Sequence, residues 1–169
     1  MKTRSKAALV LTLVASAAGP AQVAPAFERE GKILEFDTMI GVPRPYTGTT
    51  NPIRGLNGGG IPWVVASAKG ELRSDGKLEV EVQGLVLATS GQNPVASFRV
   101  VVSCMSTDSA GQAVVANRQT DTFPATTGLA SAGGGNASVE TMVDLPQPCI
   151  APIVFVTSPG GAWFAATGH

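Results

Sequence analysis

Apolar and polar residues alternate with a period of two along most of the chain, and this pattern predicts short β-strands. The 20 glycines and 12 prolines interrupt the chain too often for long helices. The predicted strands lie at 32–40, within a hairpin over Trp63–Leu87, and at 95–104, 112–123, 137–145, 153–157 and 162–167. Short strands at this spacing predict an all-β fold, namely an antiparallel β-sandwich of Ig-like or Greek-key type or a distorted barrel, with about seven to nine strands.

The hairpin turn contains Ser74-Asp75-Gly76, and the hydrophobic pattern decides between two registers. A two-residue Asp-Gly loop would pair Leu72 with Glu79 and mix apolar and charged residues on both faces. A three-residue loop instead pairs Leu72 with Leu78 and places Gly76 in a left-handed conformation. This register predicts one apolar face that consists of Val64, Ala66, Ala68, Leu72, Leu78, Val80, Val82 and Val86.

Two further strands are predicted from their faces. Strand 32–40 places Leu34, Phe36 and Ile40 on one side, alternating with acidic residues. Strand 112–123 carries polar residues on both sides, which is typical of a strand at the edge of a sheet.

Residues 41–62 form the longest stretch without a predicted element. They include six glycines and four prolines. A structureless loop of this length is often functional, and the alternative is an extended arm that covers a sheet edge. The segment carries Arg44, Tyr46 and Arg54, which are residue types enriched at interface hot spots.

The first 26 residues have the layout of a secretory signal peptide. Lys2, Arg4 and Lys6 precede an uncharged apolar run. Small residues then offer a cleavage site at Ala24-Pro25-Ala26, and Ala15-Ser16-Ala17 is an earlier alternative. We therefore expect an exported protein whose mature chain begins near Phe27; the alternative is a short N-terminal core helix. The predicted organisation is a signal peptide at 1–26, an N-terminal strand and long loop at 27–62, and the β-sandwich core at 63–169.

The charge balance argues against a nucleic-acid partner. Twelve Lys and Arg balance twelve Asp and Glu, and the mature chain, with nine against twelve, carries −3. No apolar run is long enough to span a bilayer. From Gln119 to His169 the only charged side chains are Asp121, Glu140 and Asp144, so this C-terminal segment is a candidate face for self-association or for a partner.

Cys104 and Cys149 are the only cysteines of the chain. An exported protein with a single cysteine pair is expected to form a disulfide, the alternative being two buried free thiols. No Trp lies between the two cysteines, which argues against a true immunoglobulin domain.

The residues that usually carry catalysis are scarce. The single histidine is His169 at the end of the chain, so no Ser-His-Asp or Cys-His arrangement is expected. The acids of the hairpin lie on its solvated face, and the remaining acids, Glu140 among them, are scattered. We expect no enzymatic activity, no cofactor and no metal site.

The aromatic residues Tyr46, Trp63 and Trp163 are candidates for a platform on which sugar rings stack. The alternative is that both tryptophans pack in the core. We interpret the chain as an exported, non-enzymatic binding or cell-surface interaction module whose partner is a protein or a glycan at the cell exterior. The alternatives are a carbohydrate-binding module, an inhibitor of an exported enzyme and a carboxylate-dependent hydrolase. The candidate ligand-contact residues are Arg44, Tyr46, Arg54, Trp63 and Trp163.

Overall fold

The computed structural model describes residues 31–167 and is all-β, with 55% of residues in strands and 2% in helix. The predicted signal peptide, the expected start at Phe27 and the histidine at 169 lie outside the described residues. Within residues 31–167 no helix is long and apolar enough to cross a bilayer. The strands are β1 (Lys32–Phe36), β2 (Met39–Gly41), β3 (Trp63–Val64), β4 (Ser67–Arg73), β5 (Lys77–Gln83), β6 (Val86–Leu87), β7 (Gln92–Asn93), β8 (Ser97–Thr107), β9 (Ala113–Pro124), β10 (Gly128–Leu129), β11 (Ala137–Met142), β12 (Ile150–Thr157) and β13 (Trp163–Thr167).

Two antiparallel sheets form the sandwich. The four-stranded sheet has the order β1-β4-β5-β11, and the five-stranded sheet has the order β2-β13-β12-β8-β9. Two small sheets pair β3 with β6 and β7 with β10. Apolar residues of both large sheets join in one buried cluster. The predicted antiparallel β-sandwich is thereby confirmed, and eight of its strands have five residues or more.

The three-residue turn of the first hairpin is confirmed. Leu72 lies opposite Leu78, and Gly76 has a φ of 92°. The Gly76 N–H donates to the carbonyl oxygen of Arg73 at 3.0 Å, and the Lys77 N–H donates to the carboxylate of Asp75 at 2.9 Å. The apolar face chosen by this register is buried from Ala68 onward along the hairpin.

The predicted apolar face is wrong at its first two residues. Val64 and Ala66 are exposed, whereas Trp63 is buried. The strand is interrupted between β3 and β4, and β3 pairs with β6 in a separate small sheet. The interruption reverses the alternation, because a shift of one residue moves every side chain to the opposite face.

The single strand predicted at 32–40 is also wrong. The chain breaks at Asp37-Thr38, so that β1 joins the four-stranded sheet and β2 joins the five-stranded sheet. Met39 takes the buried position after the break, and Ile40 is exposed. The N-terminal strand segment thus contributes to both layers of the sandwich.

The five-stranded sheet is built around β8 and β12, which have buried residues on both faces. Val100 and Val102 lie on one face, Val101 and Ser103 on the other, and all four are buried. The predicted edge position of strand 112–123 is confirmed, because β9 is the last strand of this sheet.

The disulfide between Cys104 and Cys149 is confirmed, with the two Cα atoms 5.0 Å apart. Cys104 lies in β8, and Cys149 directly precedes β12, the neighbouring strand of the same sheet. The bridge therefore joins neighbouring strands of one sheet, whereas the immunoglobulin disulfide joins two sheets.

Candidate functional site

Residues 41–62, here called the arm, run across one face of the five-stranded sheet. Near its end the arm pairs with the start of β13, where Trp163 N–H donates to the carbonyl of Asn57 at 2.9 Å and Gly59 N–H donates to the carbonyl of Trp163 at 2.8 Å. The arm thus pairs with β13 at Trp163, beyond the residues of β13 that pair with β2. It also crosses the sheet, because Arg54 in the middle of the arm contacts the carbonyls of Ser103 in β8 and Ala151 in β12.

Arg54 clamps the middle of the arm to the sheet. Its guanidinium donates to the carbonyl of Ser103 in β8 at 2.7 Å and to the carbonyl of Ala151 in β12 at 2.8 Å. The β8–β12 register shifts between Ile150 and Ile153, so Arg54 supplies donors where the ladder is irregular. The arm's own carbonyl at Arg54 accepts from the side chain of Asn117 in β9 at 3.0 Å. The guanidinium is therefore engaged within the chain rather than open to a ligand.

The two tryptophans pack in the core. Trp63 is 4% exposed and stacks on Phe164 with ring centroids 3.9 Å apart, while Trp163 is 2% exposed and meets Phe155 edge-on at 5.9 Å. Neither ring offers a face to solvent, so the packing alternative describes both residues.

Tyr46 is the aromatic residue of the arm, and it is 40% exposed. Its ring centroid lies 6.5 Å from that of Trp163 at an angle of 53°, so one part of the ring rests on the core and another part meets solvent. The Tyr46 N–H donates to the carbonyl of Pro43 at 2.9 Å, which fixes the turn that carries the ring.

An apolar groove of about 500 Å³ lies where the arm leaves β2 and returns to β3. Ile40 and Val64 are 55% and 48% exposed in it, which is unusual for residues of this type at neighbouring positions. Arg44 lies at the rim, and within residues 31–167 its side chain has no hydrogen bond or ion pair. The lining residues are Met39, Ile40, Gly41, Val42, Pro43, Arg44, Pro62, Trp63, Val64, Val65 and Ala88.

A second concavity, of about 730 Å³, lies on the outer face of the four-stranded sheet. The register places four glutamates directly opposite one another across all four strands, a feature here called the acidic row: Glu35, Glu71, Glu79 and Glu140. The sequence gives no sign that Glu140 belongs to this row, because nothing in the local pattern indicates that β11 pairs with β5. The opposition of Glu71 and Glu79 follows from the three-residue turn that pairs Leu72 with Leu78.

Basic residues beside the acidic row offset part of its negative charge. Lys32 contacts Glu35 at 2.8 Å and Glu71 at 3.1 Å, and Lys77 contacts Glu79 at 2.6 Å and Glu140 at 3.4 Å. The hydrogen bond from Lys32 holds the pKa of Glu71 below its usual range. A carboxylic acid that donates a proton near neutral pH needs a raised pKa, so Glu71 is not suited to general acid catalysis. Across the described part of the chain, no group of three or more His, Cys, Asp and Glu is arranged to hold a metal ion.

The sequon Asn136-Ala137-Ser138 has a structural role at its asparagine. The Asn136 side-chain oxygen accepts from the Gly84 N–H at 2.9 Å, and the Asn136 N–H donates to the Thr126 hydroxyl at 2.9 Å. The residue thus connects the end of β5 to the loop that precedes β11.

Of the five candidate ligand-contact residues, the structure brings Arg44 and Trp63 into the groove, sets Tyr46 against Trp163, and uses Arg54 as a clamp. The apolar residues Ile40 and Val64, which complete the groove, were missed because the predicted strands ran through both chain breaks. Comparison with protein-family models, with curated proteins and with solved structures finds no match to this chain.

Proposed function

We propose that this chain is an exported, non-enzymatic binding module that takes a protein partner in the groove between β2 and β3. The observation that carries the proposal is one concave surface that combines exposed Ile40 and Val64 with Arg44, whose side chain has no hydrogen bond or ion pair within residues 31–167. Export is supported by the signal-like N-terminal sequence and by the closed disulfide, because disulfides persist outside the cytosol.

The partner that fits this groove is an extended, apolar protein segment with a carboxylate placed to meet Arg44. The strand β2 is the last strand of its sheet, but β3 packs against its backbone at Gly41, and the Trp63 N–H donates to the Val42 carbonyl at 3.1 Å. The partner is therefore recognised by the exposed apolar side chains of Ile40 and Val64 rather than by strand addition. A sugar ligand has less support, because both tryptophans are buried. An inhibitor that inserts the arm into an enzyme also has less support, because Arg54 and Asn57 hold the arm to the sheet.

The arm lowers the entropic cost of binding at the groove. Trp163 and Arg54 hold the arm through backbone and guanidinium hydrogen bonds, and Arg44 and Tyr46 lie on the turn that enters it. A surface that is ordered before association loses less conformational entropy on binding. Arg44 and Tyr46 are therefore presented by a segment that the rest of the fold already fixes.

Capture experiments with matched variants test the proposal. The purified protein is immobilised and exposed to the secretome and envelope of the producing cells, beside Ile40→Asp, Arg44→Ala and the control Met142→Asp. Met142 is exposed on β11, outside the groove. We expect the groove variants to lose a protein that both wild type and the control retain, with melting temperatures unchanged. Equal capture by all four proteins would contradict the proposal.

A further inference from the structure

The edge strand β9 leaves an uncharged stretch open to solvent. Residues 113–117 read Ala-Val-Val-Ala-Asn, and Val115 is exposed. Within residues 31–167, β8 is the only segment with backbone hydrogen bonds to this stretch. In an antiparallel ladder every second residue directs its N–H and C=O to the same side, so half of these groups point away from β8.

The same end of the sheet carries an apolar row on the face of Val115. The register places Val115 opposite Met105 and Met105 opposite Ile150, and cross-strand partners share a face. Val115 and Ile150 are both exposed. Arg54 holds the arm to the carbonyls of Ser103 and Ala151. The apolar row lies immediately beyond this contact along the strands.

We propose that β9 pairs with β9 of a second copy of this chain about a two-fold axis at Val115. In this register Val115 lies opposite the partner's Val115, and Ala113 lies opposite the partner's Asn117. The five-stranded sheets of the two copies then form one continuous sheet.

The two-fold pairing is geometrically regular, and two features of the chain favour a second copy over another partner. With a two-fold axis normal to the sheet at Val115, the numbers of each two opposed residues add up to an even value. Opposed side chains then lie on the same face of the joined sheet, as regular antiparallel pairing requires. The row of Ile150, Met105 and Val115 continues directly into the partner's Val115, Met105 and Ile150. No charged residue falls within 113–117, and the flanking Arg118 donates to the carbonyl of Asp144 in its own chain at 3.1 Å.

The pairing differs from the groove in place and in partner, so either proposal stands if the other fails. The groove lies at β2, and β2 and β9 are the opposite ends of the five-stranded sheet. Dimerisation through β9 therefore leaves the groove open.

Sedimentation velocity over a wide range of protein concentration tests the pairing with charge variants. Because Val115 meets its own copy at the axis, V115K and V115E each place like charges opposite one another. We expect each variant to weaken the dimer by roughly tenfold or more relative to wild type. The control M142K introduces the same charge on the exposed β11 edge of the other sheet and is expected to dimerise like wild type.

Mixing V115K with V115E provides the decisive arm of this test. The introduced lysine then faces the introduced glutamate, so the mixture is expected to recover dimer that neither variant forms alone. Circular dichroism checks that each exposed-site variant remains folded. A monomeric wild type at all concentrations, dimers that tolerate V115K, or a mixture that stays monomeric would each overturn the proposal.

Discussion

Gly76 closes the turn between β4 and β5 with a backbone conformation that other residues resist. Its φ of 92° is in the left-handed region, and a Cβ at this position would overlap the carbonyl group of Val143. The Val143 N–H in turn donates to the carbonyl of Gly76 at 2.9 Å. One residue therefore fixes both the hairpin register and the contact with the segment that follows β11.

Gly76→Ala is expected to lower the free energy of unfolding by about 2 kcal/mol or more, because backbone strain and the clash with Val143 add. Gly111→Ala is the matched control, since Gly111 also has a positive φ of 75° but open space around its Cβ position. Urea unfolding of both variants gives the comparison. Equal destabilisation by the two changes would show that the contact with Val143 contributes nothing.

Arg54 and Arg44 are arginines of the same arm with different predicted roles. Arg54→Met removes the donors of the Ser103 and Ala151 carbonyls and is expected to reduce stability by about 1–3 kcal/mol. Arg44→Met is expected to leave stability unchanged. Thermal unfolding of the oxidised protein measures both variants, and a stable Arg54→Met protein would contradict the clamp.

At the scale of elements, the outer face of the four-stranded sheet is organised in rows across the strands. Lys32, Arg73 and Lys77 provide counter-charges beside the acidic row. On the same face, Lys69 contacts Glu81 at 2.9 Å. All of these groups are solvated, so each pair contributes little by itself. The row is best understood as a charge pattern that tolerates like charges opposite one another because each is shared with a cation.

The folded state is expected to lose stability as the pH falls, because ion pairs on this face are lost. The pKa of Glu71 is lowered by Lys32, and that of Glu81 by Lys69, so their ion pairs stabilise the fold above the unfolded carboxyl pKa of 4.5. This stabilisation is lost as the pH falls through the lower folded-state pKa values. Melting temperatures recorded below pH 4.5 are expected to fall less steeply for Glu71→Gln than for wild type.

Salt provides the control for the acid effect. In roughly 1 M salt, where the Debye length is about 3 Å, the difference between Glu71→Gln and wild type is expected to shrink. An acid response identical in the two proteins at low salt would show that the Lys32 pair has no role in it.

At the scale of the whole molecule, the sequence predicts the strands better than it predicts where the chain changes sheets. The Leu72–Leu78 register and the edge position of β9 follow from local alternation and are confirmed. The sequence carries no strong turn signal at Asp37-Thr38 or after Val64. We attribute these breaks to the way the two sheets meet, which is not a local property of the sequence. The pairing of β11 with β5 is equally non-local, since no residue in either strand specifies its neighbour.

The same limits apply to the candidate site. Arg44 and Tyr46 were found because their residue types stand out in a long loop, and both are exposed. The exposure of Ile40 and Val64 is not predictable from the sequence, because each continues an alternating pattern whose other apolar residues are buried. Arg54 is predicted as a ligand contact, but in the structure it donates to backbone carbonyls of its own chain. An arginine suits either role, so its residue type does not distinguish them.

Site-specific photocrosslinking tests the groove most directly. A photoreactive phenylalanine analogue replaces Val64 in one protein and Met142 in another, both exposed positions, and each protein is irradiated with the secretome and envelope of the producing cells. The account predicts that only the groove position crosslinks, and that mass spectrometry places the adduct in an extended, apolar segment with a nearby acidic residue. Equal crosslinking at both positions, or adducts at the Met142 position alone, would contradict it.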